Sequence, residues 1–226
     1  MKPQLFLLHF AGGSIYSFQF IRPYLADFEF IPLELPGRGK RAKEGLIRDF
    51  DQAVGDICGQ IGRRLQPGPF LIYGHSMGAI MALHAAGMLE RTGSPPRMIV
   101  VSGNPAPAGR DDKKRYLMER DTFKAEIEEI GGVPDEVLHN EELLGYYEPL
   151  LKADFEVLEK RPYPQIPPVN IPIHAIMGTG EERVDEIGNW RDFTNASFEY
   201  TLMEGKHFFI HDHPEAVARI IKLKFF

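Results

Sequence analysis

Short apolar runs alternate along this chain with segments whose apolar residues return every three or four positions. Gln4–His9, Phe28–Leu33, Phe70–Tyr73, Met98–Ser102, Ile173–Met177 and Phe198–Met203 are brief and mostly apolar or aromatic, and they read as strands. Phe50, Val54, Ile57, Cys58, Ile61 and Leu65 recur at helical spacing and predict an amphipathic helix over 49–65. Ala79–Leu89 is a helix-forming run that is apolar almost throughout. A last helix starts at Pro214, a favoured first-turn residue, with Val217, Ile220 and Ile221 facing inward. Strands alternating with helices predict an α/β fold with a mostly parallel central sheet.

The rhythm breaks from about residue 108 to 168, where helical patterns (Tyr116–Ile130, Glu141–Leu158) occur without a strand. Gly131-Gly132-Val133-Pro134 divides the two patterns, and a proline-rich stretch, residues 161–168, closes the segment. It follows a strand C-terminus and is far longer than one crossover needs. It therefore reads as a helical lid inserted into a single domain spanning residues 1–226.

Gly74-His75-Ser76-Met77-Gly78 sits where a predicted strand meets a predicted helix. A G-x-S-x-G in that setting is the nucleophile elbow of the α/β-hydrolase fold, with glycines where a Cβ would collide and the serine hydroxyl turned outward. A serine needs a base, and the base needs an acid to orient it. In this fold they follow in the order acid, then histidine. Among eight histidines, His207 lies in the loop directly after the last strand. His211 is a rival there, His213 reads as the start of the final helix, and His9, His84, His139 and His174 read as structural. The loop after Ile173–Met177 offers Glu181, with Glu182 and Asp185 as alternatives. Glu181 comes earliest and is the favoured acid. Asn104, after Met98–Ser102, could orient an imidazole but supplies no carboxylate. The oxyanion donors are expected to be the backbone amides of Met77, at a helix N-terminus, and Ala11, in the loop His9–Ser14. Phe10 and His75 are candidates for substrate contact.

Composition narrows the class. A formal charge of −6 leaves no basic excess for nucleic acid. One cysteine, Cys58, excludes an internal disulfide and is expected to be buried. No run is long enough to span a membrane, and the chain reads as cytoplasmic, without metal.

With these parts in order, the chain resembles the type II, stand-alone editing thioesterases of polyketide and non-ribosomal peptide synthesis. The resemblance rests on Leu8–Ser14, Leu33–Arg41 (close to "LPGRGxR"), Gly74–Gly78, Ser102–Pro107, Ile130–Pro134, Leu150–Asp154 and Gly205–Phe209 (similar to "GGHFF"). It implies a serine thioesterase that hydrolyses acyl groups from the phosphopantetheine thiol of an acyl or peptidyl carrier protein. It implies no cofactor of the enzyme's own, and a monomer is expected. Two basic groups, Arg110, Lys113, Lys114 and Arg115, and Arg38, Lys40, Arg41 and Lys43, are candidates for meeting an acidic carrier. Phe10, Met77, Tyr116, Phe123, Tyr146 and Tyr147 are candidates for lining an acyl tunnel. The family usually carries aspartate where Glu181 stands. A carboxylesterase acting on small esters, or a catalytically weak carrier-binding protein, are the alternative functions.

Overall fold

A computed structural model describes residues 1–107, 113–160 and 167–226. Its strands are β1 (Gln4–Leu8), β2 (Glu29–Leu33), β3 (Phe70–His75), β4 (Met98–Ser102), β5 (Ile173–Gly178) and β6 (Phe198–Met203). They form one sheet in the order β2-β1-β3-β4-β5-β6, with every pairing parallel. The helices are α1 (Phe50–Arg64), α2 (Met77–Arg91), α3 (Arg120–Ile130), α4 (Asp135–Leu138), α5 (Glu141–Glu159) and α6 (Pro214–Phe225).

Side-chain alternation explains why the strands are apolar at every position. Phe6 and Leu8 of β1 point into a core shared with α1 and α2, while Leu5 and Leu7 point into a second core closed by α6. A sheet covered on both faces needs apolar residues on both, as parallel sheets do. Each fully buried leucine or phenylalanine stabilises the fold by about 1.5–3 kcal/mol. The predicted helix over 49–65 begins one residue later than expected because Asp49 caps it, its carboxylate accepting from the Gln52 amide at 2.9 Å.

Helices α3, α4 and α5 all lie between β4 and β5, and the expected helical stretch from Tyr116 divides into a 3-10 turn at Arg115–Leu117 followed by α3. Their inner faces form a small core of Phe123, Ile127, Leu138, Leu151 and Phe155. The short α4 and the 3-10 run Val184–Phe193 carry no periodic signal that the sequence would have revealed. Cys58 is only half-buried, and partial desolvation raises its thiol to about 11. Among the described residues, no helix is long and apolar enough to cross a membrane.

The strand order turns back on itself between β1 and β3, so their carboxyl ends open a crevice. Such switch points are where open α/β sheets bind ligands. The loop after β1 and the turn after β3 both end there.

Candidate active site

Ser76 sits at the turn between β3 and α2 with φ 55° and ψ −113°, a conformation that costs a non-glycine residue about 1–3 kcal/mol. Its surroundings impose that geometry. A Cβ on Gly74 would lie 2.0 Å from the Gly78 carbonyl oxygen, and one on Gly78 would lie 2.1 Å from that of Leu8. Only glycine at both positions lets α2 press against β1 and β3. The Ser76 amide is held by the Ser102 carbonyl at 2.7 Å. Ser76 occupies the N-cap position, yet its hydroxyl makes no capping bond and is turned away from its own helix.

That hydroxyl lies 3.0 Å from His207 Nε2, and His207 Nδ1 lies 2.8 Å from Glu181 Oε2. With Nδ1–H donated to the carboxylate, Nε2 keeps the lone pair that accepts the serine proton. The second Glu181 oxygen accepts from the Gly178 amide at 2.9 Å, which fixes the longer side chain at its far end. The acid and histidine loops are themselves cross-linked, the Gly180 amide donating to the Gly205 carbonyl at 2.8 Å. Of the alternatives, Glu182 lines the neighbouring chamber and Asp185 is the second residue of the Val184–Phe193 run; neither bonds His207. His211 stacks on Phe208, and His213 stands at the N-cap position of α6 without a side-chain capping bond, its ring donating instead to the Glu204 carbonyl.

The two expected oxyanion donors lie on different elements. Met77 is the first residue of α2, where the helix end is positive. Ala11 follows β1 and lines the crevice beside Ser76. Neither amide donates to any group among the described residues, whereas the next amide, that of Gly12, is engaged by Asp154. His9 braces this loop from behind. Its Nδ1–H donates to the Phe10 carbonyl at 2.7 Å, and its Nε2 faces the Leu35 amide at 3.4 Å. Burial, aided by the Arg38 guanidinium, lowers the His9 imidazole to about 4, so it is neutral.

Ser76 and His207 open into a chamber of about 460 Å³ between the sheet and α3–α5. Its apolar wall includes Phe10, Ile80, Ile127, Leu151, Phe155 and Met177. Most of the aromatic residues expected to line it do not. Phe10 does; Met77 and Phe123 are buried in cores, Tyr116 packs beside α3, Tyr146 is 79% exposed, and Tyr147 bonds the Gly12 carbonyl. The inner faces of α3 and α5 supply Ile127, Leu151 and Phe155 to the wall instead. Ile80 was legible in principle, one helical turn beyond Ser76.

His75 is also not a substrate contact. It is fully buried beneath the elbow, its Nδ1 2.8 Å from Ser102 Oγ, which in turn meets the Tyr73 hydroxyl. Burial holds its imidazole well below the usual range. Successive strand residues point to opposite faces, so the residue before Ser76 points into the protein. Asn104 is likewise taken up locally, accepting from the Ala106 amide through its side chain and from the Trp190 indole through its carbonyl.

The two expected basic patches lose their described arginines to internal ion pairs but keep their lysines at the surface. Arg38 is buried against Asp154, Arg41 bridges Glu44 and Asp56, and Arg115 is buried between Glu126 and Glu159. Lys113 is exposed but pairs with Glu126. Lys40, Lys43 and Lys114 remain at the surface, and Arg110 lies outside the described residues.

The chain is similar to known proteins in sequence and in fold. The chain is 32% identical over 218 residues to a probable cadicidin biosynthesis thioesterase of Streptomyces griseus, covering 92% of this chain but 58% of that relative's length. It is 30% identical to the gramicidin S biosynthesis protein GrsT of Aneurinibacillus migulanus, over 93% of this chain and 84% of that one. The structure of RedJ, a thioesterase of prodiginine biosynthesis in Streptomyces coelicolor, superposes with a TM-score of 0.88 at 26% identity, over 98% of this chain and 84% of that chain. A family model described as "Thioesterase domain" matches residues 3–225. Sheet, elbow and near end-to-end match agree: the chain belongs to the thioesterase domain family.

Proposed function

We propose that this protein is a stand-alone serine thioesterase that hydrolyses acyl groups from the phosphopantetheine thiol of an acyl or peptidyl carrier protein. The observation that carries the reading is the continuous hydrogen-bonded line Ser76–His207–Glu181 beside a chamber of about 460 Å³ with an apolar wall. The relatives named for cadicidin and gramicidin S biosynthesis support the assembly-line setting.

In the proposed reaction, Ser76 Oγ attacks the thioester carbonyl carbon while His207 Nε2 takes its proton. The carbonyl oxygen gains negative charge between the Ala11 and Met77 amides, neither of which donates to another group among the described residues. Collapse breaks the carbon–sulfur bond, and His207 returns the proton to the leaving pantetheine sulfur. Water, deprotonated by His207, then attacks the acyl-serine carbonyl carbon; the bond to Ser76 Oγ breaks, His207 returns the proton to Oγ, and the free acid leaves. Glu181 accepts from His207 Nδ1–H throughout, fixing the tautomer and stabilising the imidazolium. The acyl chain occupies the chamber, and α3–α5 act as its lid.

Intact mass spectrometry of a panel of acylated carrier proteins tests this. The enzyme is expected to remove the acyl mass and leave holo-carrier, while Ser76→Ala leaves the carriers loaded. Faster cleavage of p-nitrophenyl esters than of any carrier-bound or pantetheine thioester would contradict it.

A further inference from the structure

Arg38 and Asp154 are 116 residues apart in sequence and form a bidentate pair, 2.6 and 2.7 Å, with side chains 3% and 0% exposed. Their bonds do not end with each other. Asp154 Oδ2 also accepts from the Gly12 amide at 2.8 Å, and Arg38 Nη1 also donates to the Gly13 carbonyl at 3.2 Å. Both targets belong to the loop that carries Ala11.

The same helix holds this loop at two further points. Tyr147 donates its hydroxyl to the Gly12 carbonyl, and Leu151 packs so closely that a Cβ on Gly12 would lie 2.6 Å from its Cδ2. Tyr147, Leu151 and Asp154 stand at i, i+4 and i+7, so one face of α5 is turned to this loop. Gly12, at φ +77°, exposes its whole peptide to that face. A buried charge pair is weak evidence for stability alone, since apolar residues of similar volume would fill the space as well. Two charges that also bond the backbone beside an oxyanion donor do something apolar residues cannot.

We propose that Arg38 and Asp154 are positioning residues: they tether α5 to the oxyanion loop, so that the Ala11 amide is aimed at the substrate carbonyl only while α5 is seated. The proposal rests on the thioesterase reading above and deepens it by making the lid helix part of the oxyanion hole's support. Chamber closure and transition-state stabilisation then form one event. An unseated α5 leaves Ser76 and His207 intact but the hole half-built.

The test compares wild type with Asp154→Asn and with the paired replacement Arg38→Met/Asp154→Leu, which removes both buried charges together. Activity is expressed per Ser76 titrated by a fluorophosphonate, so misfolded protein is not counted. Affinity for an alkylboronic acid is measured alongside, because its tetrahedral serine adduct places an oxygen in the hole. Losing one oxyanion donor outright costs about 10²–10³ in kcat. A misaimed donor is expected to cost about ten- to a hundredfold in kcat per site, with KM changed less than about threefold. Boronate affinity should fall in step, and the paired replacement should keep a Tm near wild type. The inference is overturned if the paired replacement has wild-type kcat per site and wild-type boronate affinity. A purely structural pair would produce that result whatever happened to Tm. Should the wild type bind boronate yet hydrolyse no thioester, the functional reading falls and the boronate ratio alone still decides the tether.

Discussion

Glu181 meets His207 Nδ1 at 2.8 Å through one carboxylate oxygen while the Gly178 amide grips the other at 2.9 Å. The extra methylene relative to aspartate is absorbed because the side chain folds back over the start of its own loop. A glutamate anchored at both oxygens can orient an imidazole as an aspartate does.

Glu181→Ala should therefore lower kcat by up to about 10⁴, whereas Glu182→Ala and Asp185→Ala should stay within a few-fold of wild type. Glu181→Asp, one methylene short of His207, should fall between them. Steady-state hydrolysis of an acyl-pantetheine thioester measures all four. Impairment in Asp185→Ala alone would identify a different acid.

The elbow glycines carry a stability prediction. Gly78→Ala drives a Cβ to within 2.1 Å of the Leu8 carbonyl oxygen, a backbone atom of the central sheet. The expected cost is about 3 kcal/mol or more. Gly55 on α1 has nothing within 4 Å of an added Cβ, so Gly55→Ala should stabilise by about 0.5–1 kcal/mol. Urea denaturation should move the two midpoints in opposite directions. An unchanged midpoint in Gly78→Ala would contradict the packing described.

Ile80 stands one helical turn after Ser76 and walls the chamber. Ile80→Phe should lower kcat/KM for a decanoyl thioester about tenfold more than for an acetyl one, and Ile80→Ala should shift preference toward the longer chain. Turnover of a series of acyl-pantetheine thioesters reads the ratio. A uniform change across the series would place the acyl group elsewhere.

Buried imidazoles set a pH limit on stability. His9 and His174 are lowered to about 4, chiefly by burial, and His75 is held well below its ordinary value for the same reason. The folded form keeps all three neutral, while the unfolded chain protonates them near 6.5. Stability from this source is complete above about 6.5 and declines as pH falls toward 4, because the unfolded state then binds more protons. Unfolding at pH 6 should take up about two protons, measured from the dependence of the calorimetric enthalpy on buffer ionisation. No uptake would mean that these rings are already charged in the fold.

Much of this was legible in the sequence, for reasons that are local. Leu5–Leu8 are apolar at every position because both sheet faces are covered, and Gly74–Gly78 are spaced as a strand-to-helix turn requires. His207 and Glu181 could be found because each follows a strand whose end is fixed by the sheet. The chamber wall and the fate of the arginines were not legible. They depend on how α3 and α5 are rotated against the body, which pairs Arg38 with Asp154 across 116 positions. Tyr146 and Tyr147 show the limit: adjacent residues of the same type, one exposed to solvent and one bonded to Gly12.

The central claim is that Ser76 is a nucleophile activated by His207. Peptide-level mass spectrometry after a brief exposure to a fluorophosphonate tests it most directly. The account predicts one adduct, on the peptide containing Ser76, formed at least about a thousandfold more slowly in His207→Ala. A wild-type protein that stays unmodified, or that reacts equally fast without His207, would contradict it.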